Sequence, residues 1–248
     1  MVYFISDIHL GATYIADRRA HEKRVTDFLD SIAADATELY LLGDILDYWY
    51  EYRTVVPRGY VRFLGALARL ADQGVKITWL TGNHDIWLFD YIRDEIGIEV
   101  IDAPRIARKI AGKRFVLSHG DRVGNRSRSF RFICSLFRNK VCQKLYSSIH
   151  PRWTVPLAHV WSKSSRGSDP VKEEAEHRRL LIENLSLLAD TDPRPDYIIT
   201  GHYHIAIKEK LHDGVTLIGL GDWIDKDTYA VFDGKTVELR TFNPGGAL

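Results

Sequence analysis

Long apolar runs are missing from this sequence, and so is any cysteine-rich pattern. No apolar run approaches the roughly 20 residues that a membrane-spanning helix needs. The N-terminus enters a strand-like segment at once, without a basic stretch and a cleavable hydrophobic segment, so we expect no signal peptide and a cytoplasmic protein. Cys134 and Cys142 are eight residues apart. In a helix that spacing is about 12 Å, which is too far for a disulfide. Integral membrane proteins and disulfide scaffolds are therefore excluded.

Acidic residues are missing from one long stretch. The whole chain carries a net charge of +1, with 27% charged and 45% hydrophobic residues, which is typical of a soluble globular protein and indicates no partner. Residues Arg122–Ser168, in contrast, contain ten Lys or Arg and no Asp or Glu. Apolar residues recur there at helical spacing: Phe130, Ile133, Phe137, Val141, Leu145 and Ile149, followed by Trp153, Val155, Leu157, Val160 and Trp161. Such a segment suits an anionic amphiphile or an anionic membrane surface, although packing of the apolar stripe on the core is the simpler structural explanation.

A nucleic acid is the main alternative partner for this basic segment. Lys, Arg and aromatic side chains together bind phosphate backbones and bases. Aliphatic residues dominate the stripe, however, and they suit acyl chains better than bases. We therefore expect no nucleic-acid partner, and the sequence carries no signal for an oligomeric state.

Hydrophobic periodicity predicts strands that alternate with helices and then a run of strands. Helical spacing predicts helices at Arg18–Ala33 and Tyr60–Gln73, with Gly74 at the C′ position, and a third helix opened by Asp169 and Pro170 with Leu181, Leu185 and Leu188 on its apolar face. Within Tyr3–Leu10, a short apolar run that ends in Asp7-x-His9 predicts the first strand. Further short apolar runs predict strands at Leu39–Leu42, Val75–Leu80, Arg114–Leu117, Tyr197–Thr200, Ala206–Leu211, Val215–Gly219, Tyr229–Phe232 and Thr236–Thr241. This order indicates a layered α/β sandwich, which we expect to form a single domain over residues 1–248.

Polar side chains follow five of these strands. Asp7 and His9 stand two residues apart, so in an extended backbone they point to the same side. The later strands are followed by Asp44, Asn83, His119, and the pair His202 and His204. Ligand sites in α/β sheets collect at the carboxyl ends of the strands. Five polar clusters at such ends are more than a stable fold requires.

These seven side chains predict a two-metal site. They offer nitrogen and oxygen donors without a thiolate, which suits Mn, Fe or Zn. A carboxylate such as Asp44 can bridge two ions, and ions about 3.5–4 Å apart activate water and neutralise a phosphoryl group. Each His taken singly is better explained as a core or surface residue. Their joint occurrence, each time after an apolar strand, favours metal binding.

The order of the motifs resembles that of the calcineurin-like metallophosphoesterases. The family blocks D-x-H, G-D, G-N-H-[DE], H and G-H-x-H occur here as DIH, GD, GNHD, SHGD and GHYH. The resemblance implies a four-layer α/β/β/α sandwich and attack on phosphorus by a metal-held hydroxide without a covalent intermediate. It implies two ions, one held by Asp7, His9, Asp44 and His204 and the other by Asp44, Asn83, His119 and His202. His84 would be a catalytic residue just outside the ions. Asp85 and Asp121 would orient imidazoles, with a surface or capping role as the competing explanation for each.

Further stretches are similar to the UDP-2,3-diacylglucosamine diphosphatases of lipid A synthesis, specifically their Bacteroidetes-type relatives. These stretches are GDILDYWYEY, LSHGD, WSKSSR and GLGDWIDKDTY. The resemblance implies hydrolysis of UDP-2,3-diacylglucosamine at the pyrophosphate, to UMP and 2,3-diacylglucosamine 1-phosphate, usually with Mn²⁺. It also implies a helical lid insertion at about residues 122–168 that caps the metals and receives the acyl chains. The protein would be peripheral on the cytoplasmic face of the inner membrane.

One position departs from the best-known branch of that family. Its members have Arg after the Asn ligand, whereas this sequence has His84. A metallophosphodiesterase of other specificity, acting on a cyclic nucleotide, nucleic acid or other phosphodiester, therefore stays open. We expect substrate contacts at the two ends of the insertion, at Asn125, Arg126, Phe130, Arg131, Ser162, Lys163, Ser165 and Arg166, with an exposed loop as the competing explanation. Asp222 and Trp223 belong either to the edge of the site or to a turn with a packed indole.

Overall fold

The computed structural model describes residues 1–124, 128–155, 170–211 and 214–243. Within these ranges the strands are β1 (Val2–Ile5), β2 (Glu38–Leu42), β3 (Lys76–Leu80), β4 (Glu99–Ile101), β5 (Ile106–Ile110), β6 (Lys113–Ser118), β7 (Tyr197–Thr200), β8 (Ala206–Lys210), β9 (Thr216–Leu220), β10 (Thr228–Phe232) and β11 (Val237–Thr241). The helices are α1 (Arg18–Ile32), α2 (Val61–Asp72), α3 (Tyr91–Ile96), α4 (Arg128–Arg138), α5 (Lys140–Ser147), α6 (151–155) and α7 (Pro170–Ser186).

Two sheets form the centre of the molecule. The first has the strand order β11-β10-β1-β2-β3-β4, and the second has the order β5-β6-β7-β9-β8. Strands β1 to β4 are parallel to one another, and so are β6, β7 and β9. The carboxyl ends of β1, β2 and β3 therefore share one edge of the first sheet. The ends of β6 and β7 share one edge of the second.

Three apolar layers confirm the predicted α/β/β/α sandwich. Along β1, Tyr3 and Ile5 face α1 and α2, whereas Val2 and Phe4 face the second sheet. This division follows from the two-residue period of side chains along a strand. A third apolar layer joins the outer face of the second sheet to α7 through Leu181, Leu185 and Leu188.

The predicted element boundaries agree with the structure to within one or two residues in most cases. Gly74 has a φ of +88° directly after the α2 C-cap, as a C′ glycine should. Leu188 packs in the α7 layer but lies beyond the end of the helix. Sequence reasoning missed α3, β4 and β5, since β4 has three residues and the alternating strand β5 is mostly polar. Asp169 lies outside the described residues.

Helices α4 to α6, called the insertion helices below, pack on the body of the protein through an aromatic cluster. Tyr48, Tyr50 and Trp87 of the body contact Phe137 and Tyr146 of the insertion helices. Trp87 Nε1 donates to the Phe137 carbonyl at 2.9 Å, Tyr50 Oη donates to the Gln143 carbonyl at 2.6 Å, and the hydroxyls of Tyr48 and Tyr146 are 3.1 Å apart. The inner face of the insertion helices is thus held by rings and hydrogen bonds together.

The described part of the chain contains no helix with the length and apolar character that crossing a bilayer requires. Cys134 and Cys142 are both free, as their spacing predicts. The extent of the insertion, residues 122–168, and its action as a lid stay predictions, because residues 125–127 and 156–169 lie outside the described ranges.

Candidate metal centre

The polar residues after the strands sit on an unusual backbone. Asp7, His9, Asp44, His202 and His204 all have positive φ, between 52° and 70°. This left-handed region is uncommon for residues other than glycine and costs free energy. Here it turns five side chains inward at the shared edge of the sheets. Such backbone outliers concentrate at functional sites.

The predicted donors converge in three overlapping groups, within each of which the nearest donor atoms lie within 4.8 Å of one another. The groups are Asp7, His9 and His204; Asp44, His119 and His202; and His9, Asp44 and His84. Asn83 joins the second group, since its Oδ1 is 3.3 Å from His119 Nε2. The structure therefore brings together all seven side chains that the motifs singled out.

Hydrogen bonds fix which nitrogen of His9 and of His119 faces this centre. His119 donates from Nδ1 to the Leu42 carbonyl at 2.9 Å, and His9 donates from Nδ1 to Asp47 Oδ1 at 3.3 Å. His204 Nδ1 lies 3.8 Å from Asp222 Oδ2. In His9 and His119 this leaves Nε2 facing the centre, and Nε2 of His204 lies 3.5 Å from Asp7 Oδ1. Oriented imidazoles of this kind are typical of metal ligands.

The carboxylates of Asp7 and Asp44 are held by hydrogen bonds from main-chain amides and from a serine hydroxyl. Asp7 accepts hydrogen bonds from the His202 amide and from Ser6 Oγ, and Asp44 Oδ1 accepts one from the His84 amide at 2.9 Å. Both side chains are almost completely buried. A buried carboxylate is costly unless a positive charge lies beside it.

The charges of the centre are strongly coupled. Burial acts to raise the pKa of Asp44, but the imidazoles of His119 and His84 outweigh it and hold that pKa well below its usual value. Burial acts to lower the pKa of His119, but the Asp44 carboxylate outweighs it and raises that pKa to about 10. The pair thus favours a positive charge beside Asp44, and a divalent cation competes with the proton for that place.

One buried atom provides a further test of the fit to a cation. Nε2 of His9 has no hydrogen-bond partner among the described residues. An unpaired buried nitrogen normally costs about 1–3 kcal/mol. A lone pair aimed at an ion explains it, so the donors present fit divalent metal ions.

His84 belongs to the third group, and its own ring is oriented. Its Nδ1 donates to the Asp47 carbonyl at 3.0 Å, and its Nε2 lies 3.9 Å from Asp44 Oδ2. Its ring meets that of His9 edge to face, with centroids 4.7 Å apart. His84 is therefore near enough to contact a molecule held at the centre.

Two carboxylates that support these rings were missed or left open by the sequence reasoning. Asp47 orients His9, and the only available signal was its position three residues after Asp44 in the GDILD stretch. Asp222 belongs to the edge of the site, since it approaches His204 and its Oδ1 accepts amide hydrogen bonds from Ile224 and Asp225. The alternative, a turn with a packed indole, is also met in part, because the Trp223 indole packs in the core.

Asp85 differs from the expectation that it orients an imidazole and fits the alternative of a capping role, whereas the orienting role of Asp121 stays a prediction. The Asp85 carboxylate accepts hydrogen bonds from the amides of Gly82 and Ile45 and from Trp79 Nε1, so it holds the loop that carries Asn83. Burial, together with the charge of Asp44, raises the pKa of Asp85 to about 6. Asp121 lies 3.9 Å from two guanidinium groups, those of Arg122 and Arg138.

Comparison with known proteins decides the family. The sequence pattern of the family described as Calcineurin-like phosphoesterase matches residues 1–206. The chain belongs to this family. It is thus a calcineurin-like metallophosphoesterase and a hydrolase, and its His and Asp clusters support divalent metal ions at the shared edge of the sheets.

Three proteins similar to this calcineurin-like phosphoesterase carry names that state an activity. It is 40% identical to the UDP-2,3-diacylglucosamine hydrolase of Porphyromonas gingivalis, in an alignment that covers 97% of each chain. It is 28% identical to the UDP-2,3-diacylglucosamine hydrolase of Nitrosococcus oceani, over 89% of this chain and 86% of that one. A solved structure described as a novel archaeal phosphodiesterase is 14% identical, with a TM-score of 0.48, and the alignment covers 97% of this chain and 99% of that one.

Most of the residues that we expect to contact the substrate lie outside the described ranges. Asn125, Arg126, Ser162, Lys163, Ser165 and Arg166 lie outside the described residues, and so does the side chain of Phe130. Arg131 is described and is exposed on α4. Its role in binding stays a prediction.

Proposed function

We propose that this chain hydrolyses the pyrophosphate bond of UDP-2,3-diacylglucosamine, producing UMP and 2,3-diacylglucosamine 1-phosphate in lipid A synthesis. The 40% identity to the Porphyromonas gingivalis hydrolase over nearly the whole of both chains carries this proposal. Two further features are consistent with it. The clusters can hold two divalent ions, and the insertion helices expose apolar side chains beside basic ones.

We assign one ion to Asp7, His9, Asp44 and His204, and the other to Asp44, Asn83, His119 and His202. The convergence of donors supports this division, since Asp44 belongs to the second group and its Oδ2 is also 3.8 Å from His9 Nε2. The donor set of imidazole, carboxylate and amide suits Mn²⁺, with Fe or Zn as alternatives. Bound ions of this kind lower the pKa of water and spread the charge that develops on a phosphoryl group.

His84 would act on the substrate from outside the ions. Because Nδ1–H is committed to the Asp47 carbonyl, only Nε2 can meet a phosphoryl or leaving-group oxygen. The bond from water oxygen to phosphorus forms as the bridging P–O bond breaks, and the leaving group is itself a phosphate. A phosphate is a stable anion, so His84 would serve mainly by donating a hydrogen bond from Nε2 to developing negative charge. Because Nδ1 already donates to the Asp47 carbonyl, this role requires the imidazolium form, in which both ring nitrogens carry a proton.

The insertion helices would receive the lipid part of the substrate. The exposed apolar side chains of these helices, and of the turn between α5 and α6, are Phe132, Leu136, Val141, Leu145, Ile149 and Trp153. Arg128, Arg131, Lys140, Lys144 and Arg152 are exposed on the same helices. Apolar and basic groups together suit acyl chains and an anionic bilayer surface. We therefore infer a peripheral position on the cytoplasmic face of the inner membrane, with residues 122–168 as a lid.

The direct test of the proposed function is product analysis. Purified protein loaded with Mn²⁺ should release UMP and 2,3-diacylglucosamine 1-phosphate from UDP-2,3-diacylglucosamine, as identified by mass spectrometry. The soluble diester bis(p-nitrophenyl) phosphate, assayed alongside, reports general phosphodiesterase activity. Cleavage of the soluble diester with the lipid left intact would contradict the lipid assignment and favour a phosphodiesterase of other specificity.

The membrane position has its own test. Sedimentation with vesicles of phosphatidylglycerol and phosphatidylethanolamine should retain the protein, whereas neutral phosphatidylcholine vesicles should retain much less. Replacing the exposed pair Leu145 and Trp153 by Ser should weaken retention without changing metal content. Equal retention by both kinds of vesicle, or by the double variant, would show that this surface does not bind an anionic bilayer.

A further inference from the structure

The guanidinium of Arg138 reaches from the insertion helices to the metal centre. Arg138 is the last residue of α4, and its side chain is only 16% exposed. Its Nη2 donates to the carbonyl of Gly82, the residue before Asn83, at 3.3 Å. Its Nε donates to both carboxylate oxygens of Asp102, at 3.1 and 3.2 Å. A residue of the insertion thus binds the main chain beside a proposed metal ligand.

The same guanidinium approaches a second loop of the centre. Arg138 Nη2 lies 3.9 Å from Oδ2 of Asp121, which is two residues beyond His119. Asp102, bound to Arg138, also accepts a hydrogen bond from Thr81 Oγ1 at 3.1 Å, and Thr81 precedes Gly82. Arg138 therefore connects the two loops that carry Asn83 and His119, which belong to one ion in the proposed assignment.

Asn83 depends on its backbone for position. A neutral amide binds a cation more weakly than a carboxylate, so its oxygen must be placed by the chain. A Cβ on Gly82 would overlap the carboxylate of Asp44, which shows how closely this loop packs against the bridging side chain. The Gly82 amide is held by Asp85 Oδ1 at 2.6 Å, and the Gly82 carbonyl is held by Arg138.

We propose that Arg138 is a positioning residue for Asn83 and His119, and that it couples the insertion helices to the ion held by Asn83, His119 and His202. The inference rests on the ligand assignment made under the proposed function. The other ion draws its support from Asp47 and Asp222, which orient His9 and His204. Loss of Arg138 should therefore affect one of the two ions.

Arg122 offers a matched control for this role. Its Nη2 donates to the same carboxylate, Asp102, at 2.7 Å, and its Nε is 3.9 Å from Asp121 Oδ2. Its side chain is as exposed as that of Arg138, at 16%. Arg138 differs in the hydrogen bond to the Gly82 carbonyl. Comparing the two arginines separates that bond from a general loss of ion pairs.

The experiment is a Mn²⁺ titration of the full chain by calorimetry, after removal of metal with EDTA. The wild type should bind two ions. Arg138→Met should weaken one of them about 10- to 100-fold and leave the other unchanged, as is usual when the support of a ligand is lost. Arg122→Met should change either affinity less than about threefold, and Arg138→Lys should lie between wild type and Arg138→Met. Electron paramagnetic resonance at two equivalents of Mn²⁺ should show coupled ions in the wild type and mostly uncoupled ions in Arg138→Met.

Three outcomes would overturn the proposal. Two unchanged affinities in Arg138→Met would show that Arg138 does not position a ligand. Equal losses in Arg122→Met and Arg138→Met would assign the effect to the ion pairs around Asp102. Fewer than two ions in the wild type would refute the ligand assignment itself, which distinguishes that failure from the first two. If Arg138→Met fails to fold, as judged by circular dichroism, unchanged affinities in Arg138→Lys would contradict the proposal.

Discussion

The metal centre and the outer face of the insertion helices reverse the usual distribution of polar and apolar groups. At the centre, Asp7, Asp44 and His119 are each at most 2% exposed, although all three are polar. On α5, the apolar side chains of Val141 and Leu145 are 67% and 66% exposed. Buried charge and exposed apolar surface both cost free energy in an isolated protein. Cations at the first region and acyl chains or lipid at the second would each offset that cost.

The two regions also differ in how their side chains are held. Rings and carboxylates of the centre are fixed by hydrogen bonds to main-chain carbonyls, amides and further carboxylates. The outer apolar side chains of the insertion helices are exposed, whereas the inner face of these helices packs on the aromatic cluster. A site for metal ions needs ligands in set positions, whereas a surface for acyl chains must adapt to flexible chains.

The largest effect is expected at Asp44, which the proposed assignment shares between both ions. Asp44→Ala should remove measurable hydrolysis, a loss on the order of 10³-fold or more, because Asp44 is the ligand that the proposed assignment shares between the two ions. Metal content measured by inductively coupled plasma mass spectrometry should fall with it. Full activity in Asp44→Ala would show that the centre is not the catalytic site.

A smaller loss is expected at His84, which the proposed assignment places beside the ions and not among their ligands. His84→Ala should lower kcat by about 10²- to 10⁴-fold, the usual contribution of a positioned acid or hydrogen-bond donor. Metal content should stay at the wild-type value, because His84 is outside the assigned ligand sets. Loss of metal in this variant would instead make His84 a ligand.

Substitutions at two neighbouring residues of α5 test how much each face of the insertion helices contributes to the free energy of unfolding. Tyr146→Ala should lower the free energy of unfolding by about 2–3 kcal/mol, since the ring contacts Tyr50 and Trp87 and the hydroxyl bonds that of Tyr48. Leu145→Ala should change it by less than about 0.5 kcal/mol. Urea unfolding followed by circular dichroism measures both. Equal destabilisation would mean that the outer face is packed as firmly as the inner one.

The smallest effect concerns a histidine behind the metal centre. His21 Nε2 donates to the Trp223 carbonyl at 2.9 Å, and the Trp223 amide donates to the Asp7 carbonyl at 3.1 Å. Burial, and secondarily the charge of Arg24, lowers the pKa of His21 to about 4. The unfolded chain, with a His pKa near 6.5, then binds more protons than the folded chain between pH 6.5 and 4. Stability should therefore fall by about 2 kcal/mol from pH 7 to pH 5 through His21 alone.

The matched variant for this prediction is His21→Gln, which keeps a hydrogen-bond donor but does not titrate. Thermal unfolding at pH 7 and pH 5, with EDTA present so that metal release does not contribute, should show a smaller pH dependence in the variant. An unchanged pH dependence would contradict the assignment to His21.

The sequence by itself determined the layered architecture and the family. Apolar runs of strand length and helical periods specify the layers, because burial of apolar side chains depends on spacing along the chain. The metal-donor residues that follow β1, β2, β3, β6 and β7 could also be predicted from the sequence, since parallel strands bring their carboxyl ends to one edge. Short or mostly polar elements such as α3, β4 and β5 lack that spacing signal.

Only the tertiary structure decided which groups support the donors. Arg138 and the Gly82 carbonyl are 56 residues apart along the chain, and His21 and the Trp223 carbonyl are 202 residues apart. Asp85 was expected to orient an imidazole, and it binds two amides and an indole. Periodicity and motifs record what each residue can do, but a hydrogen bond across the fold depends on where distant loops meet. The division of the insertion helices into a held inner face and an exposed outer face has the same origin, since both faces read as apolar in sequence.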